Sequence, residues 1–108
     1  MTIITITRQS GEIVSVEAMG HSGYAKAGSD IVCAGISALV QALAVGIKEV
    51  ACVEKASFLV DEENATIKIW WPRTEKKEIQ VLAETIVLSL KTISESYAGY
   101  VKFMEVRK

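Results

Sequence analysis

Histidine and proline each occur once in the sequence, and cysteine only twice. A zinc centre draws on several histidines or cysteines at set spacings, and this chain has no C-x-x-C pair, so a metal site is disfavoured and no cofactor is expected. Neither sign of charge is in excess: twelve basic against thirteen acidic residues leave a formal net charge of -1. No broad positive field is available to collect phosphates, which disfavours nucleic acid as a direct partner. An uninterrupted run of about 20 strongly apolar residues is also missing. The most apolar stretch, 31–47, contains Ser37 and Gln41 as well as glycine, and it reads as a buried helix rather than a membrane span. The N-terminus alternates and has no basic region followed by an apolar block and a small-residue cleavage site, so nothing directs export. If Cys33 and Cys52 share one helix, they stand about 28 Å apart at 1.5 Å per residue and do not pair. Unpaired thiols fit a reducing cytoplasm.

Half of the 108 residues are hydrophobic and 23% are charged, which is the composition of one packed domain spanning 1–108. Residues 2–7 and 13–19 alternate around the turn residues Gln9, Ser10, Gly11 and Glu12, predicting a hairpin. Residues 20–29 carry three glycines and several small side chains and are expected to form a flexible loop. With Ser29 or Asp30 as N-cap, an apolar helix runs from about Ile31 to Val53. A second hairpin is predicted at 57–61 and 66–71 around Glu62, Glu63 and Asn64, and Pro72 ends it. Trp70 and Trp71 then point to opposite faces. Thr74 caps an amphipathic helix marked by Ile79, Leu82, Ala83, Ile86 and Leu90, and Gly99 ends it. A short last strand follows, its pairing open. The fold class expected is α+β: a mainly antiparallel sheet with two helices packed on one face, in the order ββαββαβ.

The chemically unusual residues concentrate between Gly20 and Cys33. With Asp30 as cap, Cys33 is the third helical residue, where unpaired N–H groups and the positive end of the helix dipole favour a thiolate. His21 lies twelve residues earlier, across a loop able to fold back and form a Cys-His dyad. Asp30 could orient the imidazole as well as cap the helix, and backbone N–H groups near Cys33 could form an oxyanion hole. Spacing alone leaves other readings open: Cys33 as a buried packing residue, His21 as a polar loop residue, Asp30 as a cap only.

The segment Gly20-His21, a small-residue loop to Ser29, then Asp30-Ile31-Val32-Cys33-Ala34 with Ser37 one turn on, resembles the ribosomal-processing cysteine protease (Prp) family. The likeness is specific over about residues 20–41 and looser elsewhere. Ser22 and Gly35 stand where many members have alanine. The resemblance implies that Cys33 and His21 are catalytic, with Asp30 and Ser37 supporting them. It further implies that the substrate is an N-terminal extension of a large-subunit ribosomal protein, ending in aromatic residues, and that the enzyme is a homodimer. An extended peptide would lie in a groove at the loop, where Gly20, Gly23, Tyr24 and Gly28 are the candidate substrate-binding residues, with the glycines giving the loop mobility and Tyr24 swinging toward the groove. The alternative is a non-catalytic module that binds a ribosomal protein or assembly factor through the same groove.

Overall fold

The computed structural model describes residues 1–26 and 28–108. Strands β1 (Thr2–Gln9) and β2 (Glu12–Met19) form the first hairpin, and β3 (Ser57–Asp61) and β4 (Thr66–Trp70) the second. Helix α1 (Ile31–Val45) lies between them, α2 (Lys77–Ser96) follows the second, and β5 (Val101–Arg107) ends the chain. The element order is the expected ββαββαβ.

The strands form one sheet in the order β3-β4-β2-β1-β5. Three pairings are antiparallel, and β5, whose partner the sequence left open, runs parallel to β1. Parallel neighbours need a crossover, and α2 supplies it: its 20 residues span about 30 Å and return the chain to the far edge of the sheet. The first hairpin closes through Ser10 and Gly11, with φ of 52° and 84°. Positive φ at both central residues gives the twist that a two-residue connection requires.

One face of the sheet is covered by both helices. Ile4 and Ile6 of β1, Val16 and Ala18 of β2, and Ile67 and Ile69 of β4 pack with Val32, Ile36, Val40 and Leu43 of α1 and with Ile79, Ala83, Ile86 and Leu90 of α2. Trp71 is buried in this core while Trp70 is exposed on the other side, as the strand alternation predicts. That open face also exposes Ile3, Met19, Leu59, Met104 and Val106. Arg8 ties β1 to α2 through a two-pronged contact with Glu84 at 2.8 and 2.9 Å.

The first helix is shorter than expected. Its α-helical part ends at Val45, and Gly46–Val50 continues it as a π-helical turn. A side-chain Cβ at Gly46 would come within 2.3 Å of Leu82, so the two helices touch closely here. Cys52 is not helical: it is exposed at a positive φ of 54° just beyond the turn. By composition Ile31–Val50 is long and apolar enough to cross a membrane, but its stripe of Val32, Ile36, Val40, Leu43 and Ile47 is buried in the core. Helix α2 also starts later than expected. Thr74 is not its cap: the helix begins at Lys77, and Thr74 Oγ1 accepts the Lys76 N–H at 3.3 Å in the preceding turn.

Helix α1 begins where Asp30 stops the extended chain. One carboxylate oxygen accepts the N–H groups of Val32 and Cys33, each at 3.0 Å, and the other accepts the Ser22 hydroxyl. These donors, Ser22 first, hold the Asp30 carboxyl down at about 2. Since the unfolded value is higher, about 3.9, the ionised carboxylate stabilises the fold above pH 4, and this contribution is lost as pH falls from about 4 toward 2. Asp30→Asn keeps one acceptor for the helix N–H groups but replaces the oxygen that Ser22 uses. Urea midpoints of wild type and Asp30→Asn should therefore differ by a constant amount from pH 7 to 5 and converge between pH 4 and 2. In the core, Leu90→Ala should lower stability by roughly 2–5 kcal/mol. Leu88→Ala, two residues earlier and exposed, should stay within about 0.5 kcal/mol in the same assay.

Candidate active site

The chain leaves β2 through Gly20, and only glycine fits there. Its φ is +91°, and an added Cβ would lie 2.7 Å from the Met1 carbonyl oxygen. Gly20 is fixed on both sides: its N–H donates to the Ala65 carbonyl at 2.9 Å, and its own carbonyl accepts the Thr2 hydroxyl at 3.1 Å. The next residue, His21, is exposed. Its place beside the sheet thus depends on the start of β1 and the turn of the second hairpin.

Ser22 follows and is buried. Its N–H donates to Cys33 Sγ at 3.3 Å, its hydroxyl donates to Asp30, and its oxygen accepts the Tyr24 N–H at 3.2 Å. A main-chain donor on the sulfur stabilises negative charge there. Cys33 is half-buried in the first turn of α1, as the sequence pattern required.

His21 and Cys33 line the same two cavities, one of about 190 Å³ and one of about 740 Å³. Ser37, one turn beyond Cys33, lines both as well. Gln41 donates to its oxygen at 2.9 Å, which leaves the Ser37 hydroxyl hydrogen available to the cavity. Gly20 lines the smaller cavity, and Gly23, Gly28 and Asp30 the larger.

Two expected roles and one expected position differ. Asp30 does not reach toward the imidazole with a free oxygen, because its carboxylate is taken up by Ser22, Val32, Cys33 and, at 3.4 Å, Ala25. The helix N–H groups expected to form an oxyanion hole are also occupied: those of Val32 and Cys33 by the Asp30 carboxylate, that of Ala34 by the Asp30 carbonyl at 3.0 Å. Tyr24 lines neither cavity. Its ring meets those of Tyr97 and Tyr100 edge-on, with centroids 5.5 and 5.3 Å apart. The loop makes contacts with the rest of the fold at Ser22 and Tyr24 and, through Ser22, with Asp30; Ala27 lies outside the described residues.

The second hairpin forms a wall that the sequence did not reveal. Val60, Asp61, Glu62, Ala65 and Thr66 all line the smaller cavity, beside Thr2 of β1. Met19 pairs with Thr66, which brings the hairpin turn to the end of the sheet where β2 releases Gly20. The turn signal in Glu62-Glu63-Asn64 was legible, but its place beside His21 follows from strand order, which no local pattern carries.

A peptide-sized groove with a thiol, an imidazole and a hydroxyl on its walls is the equipment of a thiol hydrolase. The sequence model of the family described as cysteine protease Prp matches residues 1–102. The ribosomal processing cysteine protease Prp of Mycoplasma pneumoniae is 31% identical over 97 residues, covering 84% of this chain and 86% of the relative. That of Staphylococcus aureus is 29% identical over 97 residues, covering 90% and 91%. The crystal structure of an essential ribosomal processing protease Prp from S. aureus, with a covalently linked product peptide, superposes with a TM-score of 0.83 at 28% identity, covering 97% of this chain and 99% of that one. With the family model matching residues 1–102, and with its fold and nearly its whole length in common with these proteins, this chain belongs to the Prp family of cysteine proteases.

Proposed function

We propose that this protease removes a short N-terminal extension from a large-subunit ribosomal protein, with Cys33 as nucleophile and His21 as proton carrier. The observation that carries the assignment is the shared lining: both residues line the same two cavities, and the Ser22 N–H lies on the Cys33 sulfur. The substrate class is supported by the ribosomal-processing relatives and by the peptide bound covalently in the S. aureus protease.

In this reading the Cys33 sulfur attacks the scissile carbonyl carbon, its proton passing to His21, and a carbon–sulfur bond forms. His21 returns the proton to the leaving amine as the carbon–nitrogen bond breaks. Water then attacks the thioester carbonyl and gives a proton to His21, and the sulfur departs to regain its own. Ser37 is the donor suited to the oxyanion, since the helix N–H groups are committed to Asp30. The apolar base of the smaller cavity, with Ala18, Ile36 and Ile67, and Val60 on its wall suit a large apolar side chain beside the cleaved bond.

The same reading includes a reducing cytoplasm, in which the two free thiols persist. It also takes a second copy of the chain as partner, supported by the apolar side chains on the open sheet face.

A synthetic peptide with the sequence of a ribosomal protein's N-terminal extension, followed by mass spectrometry, tests the assignment. Cys33→Ser and His21→Ala should each lose cleavage by about 10³-fold or more while keeping the wild-type melting temperature. Cys52→Ser should cleave at the wild-type rate. Retention of cleavage in Cys33→Ser would remove the assignment.

A further inference from the structure

His21, Cys33, Ser37 and Glu62 line both cavities beside the nucleophile. The first three have places in the chemistry above. Glu62 does not. It stands at the turn of the second hairpin, exposed to solvent, and makes no ion pair among the described residues. Its neighbour Asp61 lines the smaller cavity and is held in place by the N–H and side-chain amide of Asn64, at 3.1 and 2.8 Å. Those contacts keep the Asp61 carboxyl below its ordinary value and thus charged at neutral pH.

No lysine or arginine among the described residues lines either cavity. The groove is therefore apolar at its base and negative along the hairpin rim, with no built-in cation to answer the charge. Asp30, the remaining carboxylate on these walls, is buried and serves four donors within the fold. The carboxylate left free to meet a ligand is that of Glu62, with the charge of Asp61, whose oxygens Asn64 holds, beside it.

We propose that Glu62, backed by Asp61, is a specificity determinant of this protease and selects peptides that carry a lysine or arginine within three residues of the scissile bond. The proposal rests on the assignment of Cys33 and His21 above. An uncompensated negative wall concentrates cationic peptides at the nucleophile and repels acidic ones. Glu62 is exposed, so the attraction is screened, and one such contact favours a cation by about fivefold at most. Replacing the cation by an acid adds repulsion, which widens the discrimination to roughly tenfold. Both effects weaken with salt as the screening length falls from about 30 Å at 0.01 M to about 8 Å at 0.15 M.

The test uses peptides with one apolar residue before the cleaved bond and a single lysine, norleucine or glutamate moved through three positions on each side. Values of kcat/KM are measured for wild type, Glu62→Gln and Glu62→Lys at low and high ionic strength, and melting temperatures establish that each variant is folded. At one or more positions wild type should prefer lysine over glutamate by about tenfold at low salt. The ratio should fall to about twofold in Glu62→Gln, invert in Glu62→Lys, and shrink with salt in wild type. A ratio near one at every position in wild type overturns the proposal, and so does a preference that both variants retain. The same peptides are bound to Cys33→Ser by fluorescence anisotropy. Lysine-preferring binding that Glu62→Lys reverses on that background, without cleavage of any peptide by wild type, overturns the dyad assignment and supports the selectivity. Neither cleavage nor charge-dependent binding overturns both.

Discussion

The carboxylate of Asp30 is the point on which the site depends. Its two oxygens answer the first orphan N–H groups of α1, the Ser22 hydroxyl and the Ala25 N–H. One side chain thereby starts the helix that carries Cys33 and fixes the loop that carries His21. The arrangement closes on itself, because Ser22, held by Asp30, returns its own N–H to the Cys33 sulfur. A cap would ordinarily serve the helix alone. Here it also ties a helix terminus to a loop, which is what the proposed dyad, built from two separate elements, requires.

That dual use argues against a third catalytic place for Asp30 beside the proposed dyad. A carboxylate oriented toward an imidazole needs a lone pair free for it, and a carboxylate serving four donors inside the fold has little left to offer. The same economy removes the first-turn N–H groups from oxyanion service and shifts attention to Ser37, whose hydrogen Gln41 leaves unengaged. The roles at this site are distributed by what each group has already been bound to.

Patterns with a short reach were readable in the sequence. Alternation gave the first hairpin, β-branched and aromatic runs around a polar turn gave the second, the Asp30 cap gave the start of α1, and the spacing of Ile79, Ala83, Ile86 and Leu90 gave α2 with its buried face. The family motif pointed to Cys33 and His21. What stayed hidden depends on contacts distant in sequence. The π-helical turn at Gly46 arises where α1 meets Leu82, and nothing local in Gly46-Ile47-Lys48 announces it. Tyr24 resembled a groove residue because it is the large side chain of its loop, but its partners are Tyr97 and Tyr100 at the other end of the chain. Glu62 resembled a solvated turn until strand order placed it beside the thiol.

Thr2 joins these distant parts. Its N–H donates to the Tyr100 carbonyl at 3.0 Å as β1 and β5 come together, and its hydroxyl holds the Gly20 carbonyl one residue before His21. Tyr100 also packs against Tyr24 in the loop. The imidazole therefore takes its position from the first strand, and the first strand is clamped by the last. During synthesis, residues 2–33 leave the ribosome with both proposed catalytic groups present but with neither the Tyr97–Tyr100 anchor nor the parallel strand available. Long-range pairings of this kind form late in folding. The proposed nucleophile thus gains its full frame only after the final strand has emerged, and a nascent or truncated chain carries the thiol without that frame.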